Sequence, residues 1–424
     1  MESGTLAGSL IPVLGGSDHK MGGSMNRRDF SRTLGIGVLG VGVGAAGGGG
    51  LRARAQTHSA APAIHTRPRS AESESKQWAR EHLHGPGSLL AASYLPDLRT
   101  LDEDGVRHDV RHRIEQGFCE TMVWAAGDHR GRVIEIFQEE SQGRLLRSQM
   151  LGGSSAETAI ANLETAAREG CTHVTMSYPG SLRPETEAEV YAYYREVADA
   201  SPIPLLVYGR GVESLRRFHP SGIAINVLDR LADHPKVVGM KMTHAMPAGL
   251  AFELAERLAD RMILGPVNQD HVPILGKHYP DIQWTGQWIT DAIQSPEKPY
   301  GVELLDLVSK GRMEDAMKVY WRMLPLIELV YEVQGRLLQR DEEHPHQHMK
   351  YYQWLMGANG GLLPSDHGDN IPVLDAAWRR RMRDTCRQAG IVVDRPDEEF
   401  MVGRAAYARG VRASDLSSTP NYEA

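Results

Sequence analysis

The sequence predicts an α/β protein, a (β/α)8 barrel followed by a helical extension. Two patterns carry that prediction. Across residues 86–295, eight short apolar or β-branched runs alternate with longer amphipathic segments, as parallel strands joined by helical crossovers do. From Tyr300 to about Ala389 only helical spacing remains. A third observation is negative. No Gly-rich phosphate loop follows the first run, so an open doubly wound sheet lacks its usual mark.

The predicted strands are Leu89–Tyr94, Thr121–Ala126, Ser148–Leu151, His173–Ser177, Pro204–Tyr208, Val237–Lys241, Met262–Leu264 and Ile282–Thr285. Between them, Ala156–Glu169 puts Ala159, Ile160, Leu163 and Ala166 on one helical face, and Gly170 stops it. Glu185–Ala200 follows Pro184 and ends before Ser201-Pro202 in the same way. The extension predicts helices over Val302–Ser309, Met313–Leu338, Gln347–Met356 and Leu374–Gln388.

The 424 residues are 41% hydrophobic and 24% charged, with a formal charge of −7. That excludes disorder throughout and argues against a nucleic-acid binder with a broad basic face. Three cysteines, Cys119, Cys171 and Cys386, make no disulfide framework and no zinc pair. Residues 1–55 carry six basic and three acidic side chains, leaving −10 for the rest. There Asn26-Arg27-Arg28-Asp29-Phe30 precedes an uncharged Gly-rich run, Thr33–Leu51, and then Ala53-Arg54-Ala55. This reads as a twin-arginine export leader with a small-residue cleavage site, so the export machinery is one expected partner and the periplasm the expected location. The expected organisation is leader 1–55, linker 56–85, barrel 86–295, helical domain 296–394 and a polar tail 395–424 whose last residues are mobile.

Barrel chemistry sits at the C-terminal ends of strands. Lys241 is the most informative residue there. Only nine lysines accompany 38 arginines, and this one ends the apolar run Val237-Val238-Gly239-Met240-Lys241. Strict alternation puts 237, 239 and 241 on one face. Burial lowers an amine's proton affinity and makes it a nucleophile toward ketones; a lysine snorkelling at the strand end is the structural alternative. Tyr208 ends the neighbouring run and can pass a proton to a carbinolamine. Trp124, Ala125, Ala126, Tyr178, His244 and Gln269 are the expected substrate-binding residues at other strand ends. His344, His346 and His348 lack fixed ligand geometry in a Pro-containing segment and read as a solvated loop, so no metal and no cofactor are expected.

Three segments resemble the dihydrodipicolinate synthase / N-acetylneuraminate lyase family of pyruvate-dependent class I aldolases. They are Pro204-Leu205-Leu206-Val207-Tyr208, Val237-Val238-Gly239-Met240-Lys241 and Thr175-Met176-Ser177-Tyr178-Pro179. The region Met349–Leu363, with Trp354 and Gly360-Gly361, is similar to that family's C-terminal part. The resemblance spans Ser88 to Val392. It implies a Schiff base between Lys241 and a 2-oxo acid, usually pyruvate, proton transfer by Tyr208, and a dimer or tetramer. The departures are informative. Trp124-Ala125-Ala126-Gly127-Asp128 stands where the family has Gly-Thr-Thr-Gly-Glu, so the hydroxyls that seat the carboxylate and relay protons are gone. Main-chain N–H groups of Ala125 and Ala126 remain to hold a carboxylate. Gly209 replaces the usual Asn, and only Arg210 lies near the family's dicarboxylate-binding arginine. Dihydrodipicolinate synthesis is therefore not expected. His129, Arg130 and His244 are the nearest candidates to replace the relay.

The leading expectation is a Schiff-base lyase making or breaking a C–C bond beside a 2-oxo acid. The alternatives are a dehydratase or hydratase-aldolase on a sugar acid or aryl oxo acid, toward which Trp124, Trp284 and Trp288 lean, an exported barrel that binds a small acid without turnover, and a metal-dependent aldolase using the histidines.

Overall fold

The computed structural model describes residues 72–125, 127–243, 246–279, 281–286, 290–332, 344–364 and 371–423. The expected leader, its cleavage site and most of the linker lie outside the described residues, all of which belong to one unit, residues 66–424.

Eight strands form one parallel sheet, and all eight predicted runs are present: β1 (Gly85–Ala91), β2 (Glu120–Trp124), β3 (Leu146–Leu151), β4 (His173–Met176), β5 (Leu205–Gly209), β6 (Val237–Met242), β7 (Ile263–Pro266) and β8 (Trp284–Thr285). The hydrogen-bonded order runs β7-β6-β5-β4-β3-β2-β1-β8, a nearly closed (β/α)8 barrel. The helices among the described residues are α1 (Glu74–His82), α2 (Glu103–Glu115), α3 (Arg130–Ser141), α4 (Ala156–Arg168), α5 (Glu187–Ala200), α6 (Ile225–Leu231), α7 (Ala248–Leu258), α8 (His271–Gly276), α9 (Tyr300–Ser309), α10 (Met313–Val330), α11 (His346–Leu355), α12 (Ala376–Gln388), α13 (Asp397–Val402) and α14 (Arg404–Ala408). None is long and apolar enough to cross a membrane.

The helices start where local chemistry satisfies their first N–H groups. Ser155 caps α4, Thr186 caps α5 and Asp375 caps α12, each by accepting from the residue three positions on. Outward strand residues such as Val174, Met176, Leu205, Val207, Met240 and Met242 then pack on apolar helix faces in one continuous core.

Two boundaries differ from the sequence expectation. The linker gives way at Glu74 to α1, capped by Ser73. Its Ala79 and the following Leu83 cluster with Leu206, Val238, Ile263 and Trp284 of four different strands. Only the barrel interior brings those strands together, so α1 closes the mouth at their N-terminal ends. The 395–424 segment is polar but packs on the helices before it. Phe400 and Tyr422 are buried, and Asp397 is paired with Arg379 and Arg383. Arginine–carboxylate pairing makes this polar stretch a packing surface.

β8 is short and pairs with β1 only at Gly85↔Trp284 and Pro86↔Thr285. Higher on β1, side chains replace the missing strand. Leu89 donates its N–H to Asp291 (2.8 Å), and its carbonyl accepts from Arg113 (2.6 Å) and Gln353 of α11 (2.9 Å). Lys350 of α11 caps the carbonyls of Ala91 (3.2 Å) and Ala92 (2.7 Å). Burial pushes the Asp291 carboxyl up to about 7, against a partial offset from Arg113. A raised folded value means that this group's contribution to stability is full below about pH 4 and is lost as pH rises through 7. We expect Asp291→Ala to cost about 2–3 kcal/mol in chemical denaturation, because it orphans a buried N–H. Asp291→Asn keeps that acceptor, costs less, and flattens the decline in stability between about pH 4 and 7.

Candidate active site

Lys241 is the fifth residue of β6, and its placement depends on a bulge. Leu205 pairs with Val237, but Leu206 pairs with Gly239, so Val238 is an extra residue in β6. Val237 accordingly packs outward with Met240 and Met242, while Val238 joins the interior cluster. This corrects the expectation that 237, 239 and 241 share a face. Without the bulge, with Val238 paired to Leu206, Lys241 would pair with Gly209 and face the helices. With it, Lys241 pairs with Tyr208, and amine and phenol share the interior.

Glycines make room for this arrangement. A Cβ on Gly239 would come within 2.6 Å of the Ile263 carbonyl oxygen, and one on Gly286 within 2.9 Å of Lys241 Cγ. At Gly209 it would meet the Lys241 carbonyl oxygen at 2.7 Å, so this position excludes any larger residue. Thr243 fastens the strand end by donating to the Gly209 carbonyl (3.0 Å).

Lys241 is 5% exposed. Burial pulls its amine down to about 8, with Glu120 pulling the other way. Its Nζ lies 5.7 Å from the centre of the half-buried Tyr208 ring. The pair offers a nucleophilic amine near neutral pH beside a phenol.

The other expected residues divide. Trp124 ends β2, is 42% exposed, and meets the His346 ring at a 59° tilt, ring centres 3.8 Å apart. Ala125 is half-buried beside it, packed on the cluster that holds Leu90 and Val123. Ala126 and His244 lie outside the described residues, as do Gln287 and Trp288. Gln269 is buried, its amide donating to the Val267 carbonyl (3.2 Å). Tyr178 packs with Tyr193 and Tyr194 of α5, ring centres 5.1 and 5.6 Å away, in the layer between barrel wall and helix. From His173 onward the alternation turns Tyr178 outward. Trp284 is fully buried inside the barrel, which settles its face. His129 bonds the Arg99 carbonyl (2.8 Å), and Arg130 pairs with Glu169 (2.5 Å).

Two features escape the sequence reading. The histidine segment is not a solvated loop. His346 begins α11, and His348 is fully buried. Met349, one turn beyond His346, packs on Leu89 and Met122 of the barrel interior. That seats His346 over the end of β2, two residues above Met122. Among the described residues no three His, Cys, Asp or Glu side chains group as metal ligands. The second feature is Glu120, a fully buried carboxylate inside the barrel. A carboxylate opening a strand gives no signal in sequence that it faces inward.

We expect Gly286→Ala to displace the lysine stem and slow any reaction at Nζ by about 10–100-fold, measured by mass spectrometry of Lys241 labelling, with the circular dichroism spectrum unchanged.

Residues 90–249 match the dihydrodipicolinate synthetase family. The 4-hydroxy-tetrahydrodipicolinate synthase of Rhodopseudomonas palustris is 23% identical over 247 residues, 56% of this chain and 78% of that protein. That of Rhodospirillum centenum is 30% identical over 150 residues, 35% of this chain and 46% of its own. Among solved structures, the dihydrodipicolinate synthase of Acinetobacter baumannii, complexed with pyruvate, aligns with a TM-score of 0.57 at 16% identity, covering 73% of this chain and all of that one (100%). The Agrobacterium tumefaciens structure gives 0.54 at 17%, covering 73% and 99%. The structural likeness establishes the barrel with its C-terminal helices, and the sequence matches support the dihydrodipicolinate synthetase family for this chain.

Proposed function

We propose that this chain is a lyase of the dihydrodipicolinate synthetase family that forms a Schiff base with a 2-oxo acid such as pyruvate through Lys241. The observation that carries the reading is the buried Lys241 amine, lowered to about 8 and in register with Tyr208. The family match and the relatives' pyruvate chemistry point the same way.

In this reading the neutral amine adds to the C2 carbonyl carbon, and the proton it sheds reaches the carbonyl oxygen through the Tyr208 hydroxyl. The carbinolamine then takes up one proton on its hydroxyl and loses water to give a protonated imine. The imine withdraws electrons as the bond from C3 to a proton or to a carbon partner breaks, leaving an enamine. Reprotonation or attack on a new carbonyl at C3, followed by hydrolysis, frees the amine. The main-chain N–H of Ala125 is a candidate donor to the carboxylate, since that contact needs no side chain. His346, in ring contact with Trp124 at the end of β2, is our candidate for the proton relay that the alanines lack. The proposal includes a homo-oligomer, testable by sedimentation; one related synthase is described as a monomeric variant. It also includes export, which rests on the twin-arginine reading of residues 1–55.

Borohydride reduction in the presence of pyruvate tests it. We expect an adduct on Lys241 whose formation rate rises with pH through about 8 and levels above, because deprotonation creates the nucleophile. Lys241→Ala removes the adduct. A folded wild type that traps neither pyruvate nor a bulkier 2-oxo acid overturns the reading. His346→Phe preserves the ring contact with Trp124; we expect it to leave trapping intact and slow exchange of the pyruvate methyl protons with deuterated solvent by about tenfold or more.

A further inference from the structure

The barrel interior holds an ionisable cluster that the proposed chemistry does not use. Both oxygens of Glu120, at the start of β2, are engaged. Oε1 accepts from the Trp284 indole N–H at 3.0 Å, and Oε2 meets His173 Nε2 at 2.9 Å. The Ser148 hydroxyl also bonds the carboxylate. His173 Nδ1 lies 3.0 Å from the Thr172 hydroxyl. Strands β2, β3, β4 and β8 therefore converge on one carboxylate, at a depth where carboxylates are almost never found unless paired.

This cage supports Trp284. The indole's outer edge packs against Gly265, where an added Cβ would come 1.9 Å from the ring. Gly265 is the register partner of Lys241. Gly286, two residues beyond Trp284 on the same face, packs on the lysine stem. The indole is thus the floor beneath the lysine, and its N–H ties that floor to Glu120. Around the amine, the Tyr208 phenol faces it from β5 and Glu120 is the opposite charge that acts on it from β2, with His173 of β4 and Ser148 of β3 behind the carboxylate.

We propose that Glu120 is the positioning residue of Lys241: caged by His173, Ser148 and Trp284, it fixes the indole floor and supplies the counter-charge to the amine. The proposal deepens the Schiff-base reading and rests on Lys241 being the reacting amine. Its chemical consequence is definite. Removing the charge while keeping the side chain's shape lets the amine shed its proton more readily.

Reductive methylation with formaldehyde and cyanoborohydride reads the amine directly, without any 2-oxo acid. Labelling of Lys241 in the full chain is followed by mass spectrometry across roughly pH 6–11, with the exposed Lys310 and Lys318 as internal references. We expect Glu120→Gln to lower the pH of half-maximal Lys241 labelling by about one unit or more, with both references unmoved. Should that variant not fold, Glu120→Asp draws the charge back toward β2 and gives a smaller downward shift. An unmoved Lys241 inflection in whichever variant folds overturns the proposal. A shifted inflection in a protein whose wild type traps no 2-oxo acid supports the placement of Glu120 and overturns the lyase reading instead.

Discussion

A buried peptide group must find a hydrogen-bond partner, and β8, two residues long, leaves the upper half of β1 without a strand on one side. Much of the molecule answers that constraint. Asp291 takes the Leu89 N–H, while Arg113 and Gln353 share its carbonyl. Lys350 reaches over the end of the strand. These partners come from α2, from the segment after β8 and from α11, so the C-terminal helices are wired into the barrel seam and do not merely lean on it. The same docking carries His346 to Trp124 and Met349 to Leu89 and Met122. The helix that repairs the seam thus also brings the His346 ring to Trp124 at the end of β2.

Burial of charge is the second organising fact. Lys241 and Glu120 occupy one dry interior. Burial drives the amine toward its neutral form and the carboxyl toward its protonated form, and each group's charge resists the other's neutralisation. For Glu120, His173, Ser148 and Lys241 together outweigh burial, and the carboxyl sits below its ordinary range. The amine has fewer partners and shifts to about 8. The asymmetry gives the barrel a fixed negative end and a titratable positive one.

The strands were legible because parallel strands covered on both faces read as apolar runs, and Lys241 because an ammonium closing such a run is conspicuous. β1 starts earlier than its apolar content suggests: Gly85-Pro86-Gly87-Ser88 precedes the apolar run at Leu89, yet backbone pairing needs no apolar side chains. α1 stayed hidden because its burying stripe is only Trp78, Ala79 and Leu83 in a polar context. Glu120 was out of reach for another reason. Its partners His173 and Trp284 lie 53 and 164 residues away, and nothing local distinguishes a caged carboxylate from a solvated one. Tyr178 shows the limit of motif reading. Its segment matches a family pattern, but which side of the wall a residue faces is set by strand phase.

Strand phase also governs Lys241. A strand alternates with period two, so the direction of every later side chain depends on the parity of the residues before it. Val238 changes that parity once, between a wall-facing Val237 and the pair Tyr208–Lys241. Were Val238 instead to take a regular pair opposite Leu206, composition and hydropathy would be untouched and the amine would turn toward the helices. Chains in this fold can therefore carry the same lysine in the same run and differ wholly in whether it reaches a substrate. Counting residues through the bulge, and not the presence of the lysine, is what separates them.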